Sequence, residues 1–350
     1  MKSFSIGDKR IGPGCEPFII AEAGINHNGD LKRAKEMVLE AKAAKANAIK
    51  FQTFAAKDFI QDRNLMYTYT SQGKEITEPI LDMFERCEFF PDEWKELKRF
   101  CDENEMMFLS TPGNLSDLEL LLSLGVQAIK VSSDDFVNIP LIRKYAAKGL
   151  PVILSCGMAT EEEIDITLGT LEKINPACCL LLCTAEYPTP PADVNIRKLT
   201  SLRNKYDGLV VGLSDHTRGS TAAIMAVALG ASVFEKHFTL DHDLPGPDHW
   251  FSETPETLKA WVEGIREAHR MLGTGEIRPT DKEMKQRYEY HRSVTTARAI
   301  RAGEVLGEGN LCMRRPGGGI LGVDWDKVEG KKAKRDLEAN VQITWDDLER

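Results

Sequence analysis

Short apolar runs of strand length alternate along the chain with longer segments of helical periodicity. Each strand run is followed by one helical segment, and the predicted strands span residues 17–24, 47–53, 106–112, 127–133, 151–156, 178–184, 208–215 and 232–238. Helix starts are signalled by Pro91 and Pro255 and by the capping residues Asp30 and Thr160. Repeated units of this kind, without a Gly-rich fingerprint after the first strand, predict an α/β fold, the (β/α)₈ or TIM barrel. An open doubly wound sheet is the alternative.

The remaining segments depart from this alternation. Residues 4–14 are predicted to form a hairpin that closes the bottom of the barrel, and residues 55–90 hold a polar insertion. Residues 273–292 are dense in charge and lose the strand–helix rhythm, which predicts a linker. From Ser293 the pattern changes to short strands and turns, as in a small β-rich domain. The predicted organisation is a barrel over 1–272, a linker over 273–292 and a second domain over 293–350.

Composition and charge narrow the classes of partner. The chain has 350 residues, 42% of them apolar, and a formal net charge of -9, which argues against a nucleic-acid partner. A local basic pocket for small anions remains compatible with that charge. The N-terminal stretch MKSFSIGDKR has no apolar core of a signal peptide, and no apolar run reaches the length of a membrane span. The eight cysteines form no CxxC pair, so we expect a reduced, cytoplasmic protein without a disulfide framework.

Polar side chains occupy the carboxyl ends of the predicted strands. Alternation along a strand turns every second side chain into the barrel, and active sites of such barrels lie at this end. The polar residues at these strand ends include, in chain order, Glu22, Lys50, Gln52, Thr111, Lys130, Ser133, Asp135, Ser155, Tyr187, Ser214, His216, Glu235 and His237. One polar residue at a strand end is unremarkable, but convergence from all the strands predicts a shared polar pocket at the barrel mouth.

The residue types in this pocket indicate its chemistry. Lys50 and Lys130 predict an anionic ligand, and hydroxyl groups at strand ends are natural phosphate donors. His216 and His237 lie on adjacent strands, where they could bind a divalent metal or form a simple hydrogen-bonded pair. Lys236 has the opposite parity, so we expect it to face the helices rather than to form a Schiff base. Lys50 and Lys130 remain open to that role.

Several longer motifs resemble those of the sialic acid synthase family over essentially the whole chain. They are EAGINHNGD, KFQTF, FLSTP, ILSCGM, CTAEYPTPPADVN, GLSDHTRG, EKHFTLD and PGPDH, in that order and spacing. The segment SVTTARAIRAGEVLGEGNLCMRRPGGG resembles that family's C-terminal antifreeze-like (SAF) domain. The resemblance implies a condensation of phosphoenolpyruvate with the open-chain aldehyde of an N-acyl mannosamine-type sugar, which gives a nonulosonic acid and phosphate. The implied acceptor is N-acetylmannosamine, giving N-acetylneuraminate. Its 6-phosphate and the 2,4-diacetamido-2,4,6-trideoxy sugars of legionaminate or pseudaminate synthesis are the alternatives.

The resemblance also implies roles for individual residues. The implied catalytic residues are Glu22, Asp135, Lys50 and Lys130. The implied substrate-binding residues are Gln52, Thr111, Ser133, Ser155, Tyr187, Ser214, Asp248 and Arg315. His216 and His237 are the implied ligands of a divalent cation, typically Mn²⁺, with Mg²⁺ or Co²⁺ as alternatives. Arg315 is implied to reach the barrel of a second subunit, which makes the expected assembly a domain-swapped homodimer.

Two other functions are compatible with a barrel of this kind. A class I aldolase or lyase would use a Schiff-base lysine and no metal, and loss of activity in chelator would count against it. A non-catalytic sugar-binding scaffold needs fewer polar groups than the strand ends of this chain supply.

Overall fold

A computed structural model describes residues 3–349 of the chain. Its strands are β1 (Phe4–Ile6), β2 (Lys9–Ile11), β3 (Phe18–Gly24), β4 (Ala48–Thr53), β5 (Met66–Ser71), β6 (Lys74–Pro79), β7 (Met107–Pro112), β8 (Ile129–Val131), β9 (Val152–Ser155), β10 (Cys178–Cys183), β11 (Val210–Asp215), β12 (Val233–His237), β13 (Ser293–Thr296) and β14 (Leu311–Arg314). Its α helices are α1 (Leu31–Ala43), α2 (Ala56–Phe59), α3 (Ile80–Glu85), α4 (Pro91–Glu103), α5 (Leu115–Ser123), α6 (Ile139–Ala146), α7 (Glu161–Ile174), α8 (Lys198–Lys205), α9 (Thr221–Ala228), α10 (Pro255–Met271), α11 (Asp281–Tyr290) and α12 (Trp325–Val328). None of the helices described over 3–349 combines the length and the apolarity that crossing a membrane requires.

The larger part of the chain is a nearly closed parallel barrel, as the sequence predicts. Its hydrogen-bonded strand order is β7-β4-β3-β12-β11-β10-β9-β8, and every pairing in it is parallel. The two ends of this order, β7 and β8, lie side by side. Because all strands run the same way, their carboxyl ends meet at one rim, which is the mouth of the barrel.

The bottom of the barrel is filled by apolar side chains. Ile6 and Ile11, from the antiparallel hairpin β1–β2, pack in one cluster with interior residues such as Phe18 and Leu181. Gly212 on β11 leaves the space that Leu181 fills, since a side chain at Gly212 would collide with Leu181 and with the carbonyl of Val233. The hairpin therefore closes this end of the barrel, as predicted.

The helices surround the barrel and begin where the capping signals predict. The Asp30 carboxylate accepts hydrogen bonds from the backbone of α1, 2.8 Å from the Lys32 nitrogen. Thr160 forms a capping box with Glu163 at the start of α7. Substituting such a cap by alanine typically costs about 1 kcal/mol. These caps fix the residues at which α1 and α7 begin.

The insertion between β4 and α4 is more regular than its polar sequence predicts. It contains α2, the antiparallel hairpin β5–β6 and α3, packed around an aromatic cluster of Phe54, Phe59 and Phe84. Gln72 at the hairpin turn donates to the Asp243 carbonyl at 2.7 Å, in the loop that follows β12. The hairpin therefore lies at the mouth side of the barrel.

The chain divides into two compact units between Leu272 and Gly273. In the second unit, β13 and β14 pair antiparallel and cover a small core that includes Val294, Ile320 and Ile343. The segment 273–292, predicted as a linker, groups with this unit and contains α11.

Candidate active site

Two lysines and two glutamates form a buried charged cluster inside the barrel mouth. Lys50 Nζ lies 2.8 Å from Glu22 Oε2 and 3.6 Å from Glu235 Oε2. Lys130 Nζ lies 3.6 Å from Glu235 Oε1. All four side chains are almost fully buried. Strand alternation brings them together, because each sits at an inward position near the carboxyl end of β3, β4, β8 or β12.

The two glutamates of this cluster differ in their tendency to hold a proton. Burial raises the pKa of Glu22 to about 7, although the ammonium of Lys50 opposes the shift. Burial acts the same way on Glu235, but Lys130 and Lys50 outweigh it and lower the pKa of Glu235 to about 2. At neutral pH the pocket thus combines a carboxyl that can exchange a proton with a carboxylate that stays ionised.

Hydroxyl groups line the same part of the pocket. Lys50 donates to Thr111 Oγ1 at 3.1 Å, and Lys130 donates to Ser155 Oγ at 2.8 Å. Ser214 donates to Glu235 Oε1 at 3.1 Å. Two ammonium groups flanked by short hydroxyl side chains can bind a phosphate or a carboxylate with charge-assisted hydrogen bonds.

His216 and His237 lie next to each other at the rim above the cluster. Their ring centroids are 5.6 Å apart, and the ring of Tyr187 covers His216 at 4.1 Å. Phe251 packs against both Tyr187 and His237. This part of the mouth is therefore a wall of aromatic and imidazole rings.

The two histidines fit a metal with open coordination positions. His216 Nδ1 lies 2.8 Å from the Thr184 carbonyl, which makes Nε2 the ring nitrogen that would bind a metal. His237 Nδ1 is buried without a hydrogen-bond partner among residues 3–349, and burial lowers the pKa of His237 well below its usual value, so the ring is neutral. Within those residues no three His, Cys, Asp or Glu side chains converge as a closed metal cage. Such a site would be completed by substrate and water.

Other residues implied for the site are placed as follows. Gln52 Nε2 lies 3.4 Å from Glu22 Oε1, and Ser133 Oγ accepts from the Gly157 nitrogen at 3.0 Å. Asp248 Oδ2 is 3.7 Å from His237 Nδ1, and burial raises the pKa of Asp248 to about 6. These three residues stand at the pocket.

Asp135 and Arg315 have local partners instead. Asp135 accepts from Asn138 Nδ2 at 3.0 Å, next to the start of α6, and makes no ion pair with Lys50 or Lys130. Arg315 belongs to the second unit, where Nε donates to the Tyr290 carbonyl at 3.1 Å. The expected catalytic role of Asp135 therefore lacks a contact with the charged cluster.

Two residues gain importance from the structure. Glu235 was recognised only as one of the polar strand ends, yet it contacts both lysines. Cys183 lies in the apolar run CCLLLCT, a pattern typical of buried core thiols. Its sulfur nevertheless lies 3.4 Å from Ser133 Oγ, and its contact with His216 lowers the pKa of the thiol against the effect of burial. Its inward parity, matching Ser214 and Glu235, was the available signal.

A (β/α)₈ barrel whose strand ends gather buried lysines, carboxyls and a histidine pair has the architecture of an enzyme that acts on a small anion. The profile of the NeuB family matches residues 37–277, and that of the SAF domain matches residues 291–349. The chain therefore belongs to the NeuB family and carries a C-terminal SAF domain, as the motifs predict.

Named relatives define the type of enzyme. The chain is 35% identical to the N,N'-diacetyllegionaminic acid synthase of Legionella pneumophila, over 98% of each protein. It is 35% identical to a pseudaminic acid synthase of Campylobacter jejuni, over 92% of this chain and 93% of that protein. The crystal structure of an N-acetylneuraminic acid (sialic acid) synthetase from Leptospira borgpetersenii is 34% identical, with a TM-score of 0.73 over 81% of this chain and 95% of that one. The chain is thus an enzyme of the synthase type.

Proposed function

We propose that the chain condenses phosphoenolpyruvate with the open-chain aldehyde of an N-acyl mannosamine-type sugar. Carbon 3 of phosphoenolpyruvate bonds to the aldehyde carbon, water adds at carbon 2, and the bond between carbon 2 and the bridging oxygen breaks. The products are a nonulosonic acid and inorganic phosphate. The observation that carries this proposal is the buried cluster of Lys50 and Lys130 with Glu22 and Glu235 beneath the histidine pair.

The charges of the cluster suit phosphoenolpyruvate. Its carboxylate and phosphate need cationic partners, and Lys50 and Lys130 supply them deep in the mouth. Thr111, Ser155 and Ser214 supply hydroxyl donors beside the two ammonium groups. A charge-assisted hydrogen bond to such a ligand contributes about 1.5–3 kcal/mol. Phosphoenolpyruvate would therefore take over lysine contacts that the glutamates satisfy in the free protein.

The two glutamates would divide the remaining work. Positive charge develops at carbon 2 when carbon 3 attacks, and the ionised Glu235 stabilises it electrostatically. Glu22, with a pKa of about 7, accepts the proton of the water that adds there. Gln52, 3.4 Å from Glu22, orients that carboxyl. This assignment uses Glu235 where the sequence implied Asp135 as the second catalytic carboxylate.

His216 and His237 are the proposed holders of a divalent cation, with Mn²⁺ as the expected ion and Mg²⁺ or Co²⁺ as alternatives. When bound, such an ion supplies Lewis-acid polarisation of the aldehyde oxygen. Tyr187 and Asp248, next to the two rings, would bind the hydroxyl groups of the sugar. The sugar end of the pocket is thus the rim, and the phosphate end is the interior.

The proposed active form is an assembly of two subunits. Arg315 would act on the sugar in the barrel of a second subunit, so that the active form is a domain-swapped homodimer. Its guanidinium offers a planar set of donors for an acyl oxygen and hydroxyl groups.

The proposal also specifies which sugar accepts the three carbons of phosphoenolpyruvate. N-acetylmannosamine, giving N-acetylneuraminate, is the acceptor we propose for this chain. The Legionella relative, aligned over nearly its full length, favours a 2,4-diacetamido-2,4,6-trideoxy sugar as the second candidate.

Phosphate release from phosphoenolpyruvate, measured with a panel of these sugars in the presence of Mn²⁺, tests the proposal. Release that depends on one sugar, with a nonulosonic acid identified by mass spectrometry, is the expected result. Release without sugar, or trapping of a substrate–lysine adduct by borohydride with full activity in chelator, would contradict it. Sugar binding by calorimetry without any phosphate release would indicate a binding scaffold instead.

A further inference from the structure

A second buried ion pair lies on the outer side of the barrel wall, behind the two histidines. Lys236 stands between Glu235 and His237 on β12, but its side chain points towards the helices, as its parity predicts. Its Nζ lies 2.9 Å from Asp215 Oδ2, and the two side chains are 3% and 0% exposed. The pair is thus removed from the substrate pocket.

Lys236 is fully engaged by the segment that carries His216. Besides Asp215, its ammonium donates to the carbonyl of Thr217 at 2.5 Å and to that of Gly219 at 3.1 Å. Three donors are all that an ammonium group has. Lys236 therefore binds the residues immediately before and after His216 in the chain.

Asp215 completes the same network. Its Oδ1 accepts from the backbone nitrogen of Thr217 at 2.9 Å and from the Thr217 hydroxyl at 2.7 Å. Its Oδ2 also accepts from Trp261 Nε1 at 3.1 Å, on α10. The backbone immediately after His216 is thereby tied to the carboxylate of the residue immediately before it.

The network also reaches the backbone of His237. Lys236 Nζ lies 3.5 Å from Glu253 Oε1, and the backbone nitrogen of Glu253 donates to the His237 carbonyl at 2.9 Å. A single ammonium thus touches groups that fix the main chain at both histidines.

We propose that Lys236 and Asp215 are positioning residues that set the distance and orientation of His216 relative to His237. Burying two charged side chains carries a large desolvation cost. A pair of apolar side chains of similar volume would often stabilise the fold to the same degree as the buried ion pair. What the charged pair adds is directional bonding across β11 and β12 at the histidine positions. The inference rests on the proposed function only where it concerns the metal that the histidines would hold.

The test uses Lys236→Met in the full chain, with Asn175→Ala as the control. Asn175, in the loop between α7 and β10, donates a part-buried hydrogen bond to the Leu150 carbonyl just before β9, at the bottom of the barrel. Spectra of metal-free protein labelled with ¹⁵N-histidine report ring environments, and calorimetry reports Mn²⁺ affinity.

In Lys236→Met we expect displaced signals for His216 and His237, unchanged signals for His269 and His291, and Mn²⁺ binding weakened about ten-fold or more. In Asn175→Ala we expect a lower melting temperature. The His216 and His237 signals and the Mn²⁺ affinity of this variant should equal those of the wild type. Unchanged His216 and His237 signals in Lys236→Met would overturn the inference.

Misfolding of the variant and absence of Mn²⁺ binding can each be distinguished from failure of the inference. If Lys236→Met does not fold, the variant Asp215→Asn/Lys236→Gln removes both charges together, and the same displaced signals are expected from it. If wild-type protein binds no Mn²⁺, the metal part of the proposed function fails, while the histidine spectra still decide whether Lys236 positions the two rings.

Discussion

Glu22 and Lys50 form an ion pair with 2.8 Å between Oε2 and Nζ, and both side chains are almost completely removed from solvent. The pair is assembled in the barrel mouth by adjacent strands, β3 and β4, which align Glu22 with Lys50 in register. Its consequence is that the protonation of Glu22 is linked both to folding and to the chemistry proposed for the pocket.

The first prediction concerns stability against pH. The pKa of Glu22 is raised from 4.5 to about 7, so between these values the folded state binds the proton that the unfolded state releases. Stability from this group is therefore present below about pH 4.5 and is lost as the pH rises through 7. We expect the Glu22→Gln variant to lose less unfolding free energy than the wild type between pH 5 and pH 8, by on the order of 1–3 kcal/mol.

Urea denaturation at the two pH values measures this difference. Glu36→Gln, at an exposed position on α1, is the control and should follow the wild type. Equal pH dependence of Glu22→Gln and wild type would mean that Glu22 is ionised throughout that range.

The second prediction concerns phosphoenolpyruvate affinity. Replacing Lys130 by methionine removes one cation that stands 2.8 Å from Ser155 Oγ in the interior of the mouth. The Michaelis constant for phosphoenolpyruvate should rise about ten-fold or more, because a charge-assisted contact is lost. Steady-state kinetics with each substrate varied in turn measure the effect, with the surface variant Lys144→Met as the control. A rise confined to the sugar would mean that the two substrates lie in the opposite orientation.

The third prediction concerns the metal. His237→Ala removes a neutral imidazole that is largely, though not fully, buried, so Mn²⁺-dependent turnover should be lost while the fold is kept. Turnover after exhaustive chelation and Mn²⁺ addition measures this, with His269→Ala on α10 as the control. Near wild-type turnover of chelated His237→Ala would falsify the metal role.

The fourth prediction concerns the sharing of sites between subunits. Arg315→Ala and Lys50→Ala should each be inactive alone. In a mixed dimer one site would combine an intact barrel with an intact arginine, so activity should return to about half per mixed dimer. Activity after mixing, with subunit exchange followed by mass spectrometry, measures this. Exchange without recovered activity would assign Arg315 to its own barrel or to no site.

The inward residues of the barrel could be predicted because parity depends only on position along a strand. Lys50, Lys130 and His216 were expected inside, and Lys236 was expected outside, where the structure has it. Each of these strands is buried on both faces, so an alternation of apolar and polar residues does not show which face a residue occupies. Counting positions from the strand end was the only way to assign its polar residues to a face.

The pairing between strands could not be predicted in this way. The contact of Glu235 with both lysines depends on register across the barrel, which one sequence does not contain. The hairpin β5–β6 was missed because its residues, such as Tyr67 and Thr68, are largely exposed and lack apolar alternation. The helix α11 was missed for a similar reason, since none of its residues is buried.

The most direct test of the central claim follows the bridging oxygen of phosphoenolpyruvate. Labelled with ¹⁸O at that position, the substrate is incubated with the enzyme, Mn²⁺ and the sugar that supports turnover, and phosphate is observed by ³¹P NMR. The account predicts phosphate released only when sugar is present and carrying the ¹⁸O label, because the bond at carbon 2 breaks after water adds there. Label retained in the nine-carbon product, or phosphate released in the absence of sugar, would contradict it.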